Sequence, residues 1–314
     1  MQQFNYVRFK NEKETVLDFL CRRFPYQTRE GWQGAIDAGT LMLDGEPTDG
    51  ALTLETGNKI GYQRNQEDEP AIDRAHRVLF EDESILVVEK SGNIPVVESG
   101  KYYKNTLLEV LKEAYGYPKL FQVHRLDRET SGLLVIAKTA EIATLMGKQF
   151  AQGQVRKKYQ ALLVGELPEE VLVDQPIRKV KATSPDMVRI RQVIHPEGKT
   201  SQTRFIPLKQ AGGLTLVEIE LYTGRTHQIR VHAEFLGVPV LGDKLYGQTD
   251  QRFISLLKGD EEPVFGDFGL IDRQLLHAWW LQFTHPVTGE TVTFENPCTQ
   301  SFAAYPCTAD ILAG

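Results

Sequence analysis

The segment His124-Arg125-Leu126-Asp127-Arg128-Glu129-Thr130-Ser131-Gly132 runs straight into Leu133-Leu134-Val135-Ile136-Ala137. A polar, charged turn thus meets an unbroken apolar run. A short apolar run bounded by turn residues reads as a strand buried on both faces. The turn is therefore tied to the end of a core strand. It sets one carboxylate, Asp127, between Arg125 and Arg128. Asp is a favoured turn residue, so Asp127 reads either as a tied-down turn residue or as a reactive group held at a strand end.

A second charged cluster lies about a hundred residues on, Thr223-Gly224-Arg225-Thr226-His227-Gln228-Ile229-Arg230-Val231-His232. After Thr226 the pattern predicts a helix. Thr226 would cap it, Ile229, Ala233 and Leu236 make the inward stripe, and Gly237 ends it. Arg230 then falls in the first turn, where the helix dipole disfavours a cation. A charge set against the dipole asks for a nearby anion, either a phosphate or Asp127.

Together the two clusters resemble the RluA-type pseudouridine synthases. That family's central signature is HRLD followed two residues later by TSG, which His124–Gly132 matches without a gap, and TGRTHQIRVH is close to its second. Weaker matches follow in family order: Lys157-Lys158-Tyr159-Gln160-Ala161 with Val164-Gly165, then Gly237-Val238-Pro239-Val240-Leu241-Gly242-Asp243, then Leu276-His277-Ala278. They span the chain from about Val78 to Pro297. One departure is Lys90-Ser91-Gly92, where the family commonly has Lys-Pro; it bears on the local turn.

The resemblance implies an enzyme that isomerises uridine to pseudouridine inside an RNA chain. The base is detached from ribose, turned and rejoined through carbon, with the uridine out of its stack. It implies Asp127 as catalytic carboxylate and Arg230 as its partner. Tyr159 is expected to stack on the flipped base and to assist proton removal from carbon 5. Arg125 is expected to enter the space the nucleotide vacates, Leu276 to line the site floor and Arg225 to grip RNA backbone. The sequence leaves open whether Asp127 attacks the sugar, attacks the base or removes a ribose proton.

An enclosed carboxylate tends to take up a proton unless a positive charge holds it ionised, which gives Arg230 its purpose. The plainer readings are a surface Arg230, a core Tyr159 on an alternating strand, and an Arg125 that supports the turn or contacts a phosphate.

The expected architecture is α+β, the pseudouridine synthase fold with a mixed, largely antiparallel sheet and a central cleft. Residues 1–62 read as a small, degenerate RNA-binding-like module, 63–75 as a linker, 76–300 as the catalytic domain and 301–314 as a C-terminal tail. In the module, Thr28 is expected to cap a helix containing Trp32, and Asp44-Gly45 to make a turn between strands. Thr139 should cap a helix with Ile142, Leu145, Met146 and Phe150 inward. Residues 248–273 read as an insertion.

The net charge of −6 sits awkwardly with an RNA partner, since RNA-binding surfaces are normally basic. A basic cleft on an acidic body resolves this. Its candidate charges are Arg125, Arg128, Arg156, Lys157, Lys158, Arg178, Lys179, Lys181, Arg189, Arg191, Arg225 and Arg230.

No phosphate-binding glycine loop, metal-ligand spacing, secretory leader or membrane-length apolar run occurs. No cofactor, no metal and no membrane are expected, and the chain reads as a cytoplasmic monomer. The RNA would be ribosomal ahead of transfer RNA. The three cysteines predict no structural disulfide, though Cys298 and Cys307 lie close enough in sequence to bridge if oxidised.

Three rival readings fit the residues less well. His124–Asp127, Val135–Lys138 and Asp267-Phe268-Gly269 mimic protein-kinase signatures, but in the wrong order. A glycoside or nucleoside hydrolase normally needs a second carboxylate, and Glu129 in the same turn is a poor one. A non-catalytic RNA-binding protein would be expected to lose Asp127, Tyr159 or Arg230, and all are present.

Overall fold

A computed structural model describes residues 6–7, 14–24, 27–63, 69–180, 188 and 190–313. The chain divides into two compact units: residues up to Ala71 with Val97–Thr106, and Ile72–Val96 with everything from Leu107 onward.

In the smaller unit, helices Val16–Arg23 and Arg29–Asp37 start where Thr15 and Thr28 accept the backbone N–H of Asp18 and Gly31. Such caps satisfy donors the helix cannot. The strands lie in the order Tyr6–Val7, Lys59–Tyr62, Leu41–Leu43, Glu46–Pro47. Asp44 and Gly45 both have positive φ, the requirement of a two-residue hairpin turn. Val16, Leu20, Trp32 and Leu41 close the core. Residues 64–68 of the expected linker fall outside the described residues.

The larger unit is built on strands β1 (His76–Glu81), β2 (Ile85–Lys90), β3 (Phe121–Gln122), β4 (Ser131–Ala137), β5 (Arg156–Val164), β6 (Val171–Asp174), β7 (Gln202–Ala211), β8 (Leu214–Leu221), β9 (Leu276–Thr284) and β10 (Thr291–Glu295). They form one sheet in the order β6-β7-β8-β5-β9-β4-β2-β1, with β10 on β9 and β3 on β4. Every pairing is antiparallel except β9 with β4. The fold is α+β with a mixed sheet, as the element order implies.

Strand β4 carries the apolar run, and all seven of its residues are buried. Leu133, Val135 and Ala137 pack with Ile85, Val87, Leu281 and Phe283. Helix Ala140–Ala151 seals this face with Ile142 and Met146. Thr139 caps it by accepting the N–H of Ile142. Leu145, expected inward, is exposed, whereas Phe150 packs against the same core as Ile142 and Met146.

The C-terminal residues do not form a loose tail. Phe302 and Ile311 lie in a core with Leu162, Leu241 and Leu275, because the end of the chain has apolar surface to bury. Residues 248–273 carry helix Asp250–Lys258, capped by Thr249. Asp250 accepts from Arg191 Nε and Val188 N, anchoring that segment to the body. Cys298 and Cys307 are free thiols.

The parallel seam fixes the turn before β4. Ser131 sits opposite His277 and Gly132 opposite Ala278. Gly132 has φ +109°, and a β-carbon there would lie 2.2 Å from the carbonyl oxygen of Ala278. Only glycine satisfies both the dihedral and the approach. Gly132→Ala is therefore expected to cost at least about 3 kcal/mol, combining backbone strain with overpacking. Urea unfolding of the variant, read against Gly147→Ala at an uncrowded helical position, checks this.

Candidate active site

Strand β4 begins at the turn, and the turn is tied from beneath. Lys90, fully buried at the end of β2, donates to the carbonyls of Ser91, Ile94 and Arg128 at 2.8, 2.9 and 2.9 Å. Burial pushes its pKa well below the usual value. Gly92 makes room for the Arg273 side chain, which donates to Ser131 Oγ and Ser301 Oγ. The Lys-Ser-Gly departure thus keeps the two residues that hold this corner.

On the far side, Gln228 stitches the second cluster together. Its Oε1 accepts from Thr223 and from the Arg225 backbone, and its Nε2 donates to Gln202 and Thr203 of β7. The helix here is Gln228–Phe235. Thr226 does not cap it. The cap position is His227, in the left-handed region at φ 57°, with no side-chain cap bond. That conformation costs some backbone energy, though His tolerates it better than most residues. It turns the His227 ring inward, where Nδ1 meets Tyr246 Oη at 2.9 Å and Nε2 lies 4.0 Å from Asp127. Tyr246 Oη also accepts from the Gln192 N–H. The network is satisfied when Tyr246 donates to Nδ1, leaving the ring proton on Nε2, facing Asp127.

Arg230 occupies the first turn as expected and meets two anions. Nη1 donates to Asp127 Oδ2 at 2.9 Å, while Nε and Nη2 form a fork on Asp243 at 2.6 and 2.9 Å. Asp243 further accepts the N–H groups of Leu245 and Tyr246. The guanidinium also lies 4.9 Å from the Tyr246 ring centroid. Burial disfavours the charge on Arg230, but Asp243 and then Asp127 more than restore it, so its pKa is raised. Asp243 lies within the Gly237–Asp243 motif, whose spacing alone assigns it no partner. Neither Tyr246 nor His227 carried a signal strong enough to single it out.

Burial pushes the Asp127 carboxyl upward, and His227, Arg230 and Arg125 outweigh it, so its pKa lies below the ordinary value. His227 is itself lowered to about 4, by burial and then by Arg230. At neutral pH the imidazole is uncharged, and the Arg230 ion pair is what keeps Asp127 ionised.

An open cleft of about 190 Å³ lies over this pair. All six residues singled out from sequence line it: Asp127, Tyr159, Arg230, Arg125, Arg225 and Leu276. Tyr159 and Leu276 are buried at its walls and Arg125 and Arg225 are exposed. Burial, and then Asp127, raise the Tyr159 pKa, so the phenol is neutral at neutral pH. Arg225 Nε donates to the Thr200 carbonyl.

Other candidate charges are neutralised away from the cleft: Arg128 by Glu129, Lys158 by Glu218 and Glu220, Arg178 by Glu197, and Arg191 by Asp250 and Glu234. Arg156 and Lys179 are exposed, and Lys181 and Arg189 lie outside the described residues.

Removing Asp243 would strand a buried guanidinium. Asp243→Ala is expected to cost about 3–5 kcal/mol by urea unfolding. A pH dependence follows as well. Burial lowers His124 to about 3 and His277 to about 4, as it does His227. The unfolded chain takes up these protons below its ordinary histidine pKa of about 6.5, while the folded chain does not. Stability should therefore be full above about pH 6.5 and fall toward pH 4, by up to about 1.4 kcal/mol per pH unit for each histidine. Asp127, with its depressed pKa, acts in the same direction at lower pH. Urea midpoints at pH 7, 6 and 5 measure the slope.

The sequence model described as RNA pseudouridylate synthase matches residues 84–235. Ribosomal large subunit pseudouridine synthase D of Nitrosomonas europaea is 31% identical over 91% of this chain and 81% of that protein. The synthase of the same name from Pseudomonas aeruginosa is 30% identical over 94% and 92%. The mitochondrial tRNA pseudouridine(32) synthase of Saccharomyces cerevisiae is 31% identical over 87% of this chain and 58% of its own length. Among solved structures, human RNA pseudouridylate synthase domain containing 1 superposes with TM-score 0.56 at 27% identity, covering 73% of this chain and 86% of that one. Motifs, sheet and relatives agree: the chain belongs to the RluA-type family and is an RNA pseudouridine synthase.

Proposed function

We propose that the chain converts uridine to pseudouridine at specific positions of structured RNA, with Asp127 as the catalytic carboxylate. The observation that carries this reading is the Asp127–Arg230 pair at 2.9 Å on the lining of an open cleft. The ion pair keeps the carboxylate charged at neutral pH, while its 24% side-chain exposure leaves it accessible to a substrate. A turned-out uridine would meet Tyr159 and Leu276 as apolar walls. The neutral Tyr159 phenol suits stacking on the base; assisting proton removal from carbon 5 would first require it to give up its own proton. Arg125 would fill the gap left in the RNA stack, offsetting part of an unstacking cost of a few kcal/mol. Arg225 would hold backbone.

Ribosomal RNA is favoured over transfer RNA. The two relatives named for the large ribosomal subunit align over most of both chains, whereas the transfer-RNA relative is matched over 58% of its length. Action on that RNA would place the protein in the cytoplasm. All the lining residues come from the larger unit of one chain, so a monomer suffices. Among the described residues, no helix is long and apolar enough to cross a membrane.

The test is tritium release from RNA labelled at carbon 5 of uridine, using unmodified large-subunit ribosomal RNA. Wild type should release tritium and no free uracil. Asp127→Asn should lose about 10³-fold or more in turnover while still binding RNA, and Arg230→Met should lose most activity. Wild-type turnover by Asp127→Asn would overturn the assignment, and free uracil would point to hydrolysis.

A further inference from the structure

Two neighbouring lysines on β5 have opposite surroundings. Lys158 is held by Glu218 at 2.8 Å and Glu220 at 3.3 Å. Lys157 points to the other face of the strand, the face that Tyr159 presents to the cleft. Among the described residues it has no hydrogen bond and no ion pair. Its ammonium lies 5.8 Å from the Phe150 ring centroid. A methyl placed on Gly224 would sit 3.1 Å from Nζ, so the amine rests against the backbone of a residue that lines the cleft. Beside it, His124 is uncharged, lowered to about 3 by burial and then by Lys157.

An uncompensated ammonium in partly buried surroundings is unfavourable for the fold alone. Burial accordingly lowers the Lys157 pKa, and no acidic group counters it. Local choices that conflict with stability mark functional positions. Among the described residues Arg125 and Arg225 likewise form no ion pair, and both line the same cleft, within a chain whose net charge is −6. What this group of cations lacks is an anion.

We propose that the ammonium of Lys157 binds a phosphodiester of the RNA strand carrying the target uridine, in a seat that the missing side chain of Gly224 leaves open beside Arg225. The inference rests on the reading of the cleft as an RNA site. Lys157 contributes a point charge that positions the strand rather than reading its sequence. It touches no reacting atom, so its contribution is to affinity.

The experiment measures binding of a fluorescently labelled single-stranded oligouridylate by anisotropy across a salt series, for wild type, Lys157→Met and Lys158→Met. Lys157→Met should bind about ten-fold more weakly. Its slope of log affinity against log salt should be shallower by about 0.7, the loss of one phosphate contact on a single strand. Its melting temperature should stay level or rise, since the substitution removes an uncompensated charge. Lys158→Met should keep the wild-type slope. Wild-type affinity and slope in Lys157→Met would overturn the proposal. So would loss of binding together with a lower melting temperature, which would make Lys157 structural. Wild-type protein that binds the oligonucleotide but releases no tritium from RNA would instead count against the catalytic reading, leaving the phosphate site standing.

Discussion

The site hangs on one guanidinium. Arg230 stands at the amino end of a helix, where the backbone repels a cation, and is buried as well. It is tolerable there only because Asp243 takes two of its donors and Asp127 a third. The division of labour is unequal. Asp243 has no exposed side-chain surface and is satisfied on all sides by Arg230, Leu245 and Tyr246. Asp127 is satisfied on one side and faces the cleft with the other. One carboxylate holds the arginine in place, and that arginine in turn keeps the other carboxylate charged. His227 and Tyr246 close the ring as uncharged hydrogen-bonding groups.

The same economy of charge explains how an acidic chain suits an anionic polymer. Lys158 and Arg178 each have carboxylate partners. Those pairs contribute little to stability, since exposed ion pairs are weak. They offset part of the positive charge outside the cleft, whereas among the described residues Arg125, Lys157 and Arg225 form no ion pair. A basic surface is thereby made by local accounting of partners, and net charge conceals it.

Much of this was legible in the sequence, for identifiable reasons. The run Leu133–Ala137 had to be a buried strand, and Thr28 and Thr139 announced helices because their hydroxyls have a backbone donor to satisfy. Asp127, Tyr159, Arg230, Arg125, Arg225 and Leu276 were all found from motifs, and all line one cleft. The misses share a cause. Thr226 looked like a cap because capping propensity is local, whereas the chain places His227 in a left-handed turn to serve contacts far away. Asp243 sat in plain view within a motif, but the anion demanded by Arg230 could be matched only across 13 residues of loop and helix. Leu145 obeyed the helical period without having a neighbour to meet. The C-terminal residues were read as a tail because a short segment's burial depends on what the rest of the fold leaves open.

The separation of the two halves of the site in sequence has a consequence during synthesis. Asp127 and Arg230 are 103 residues apart, and Asp243 follows later still. The strand beside Gly132, carrying Ala278, emerges after all of them. A ribosome that has produced only the first half of the larger unit has made an ordinary aspartate in an exposed turn. Neither its charge environment nor its walls exist until long-range pairings form, and such pairings are the slow part of folding. The environment of Asp127 is thus conditional on completion: a truncated or stalled chain carries the carboxylate yet lacks the ion pair and the cleft walls that surround it.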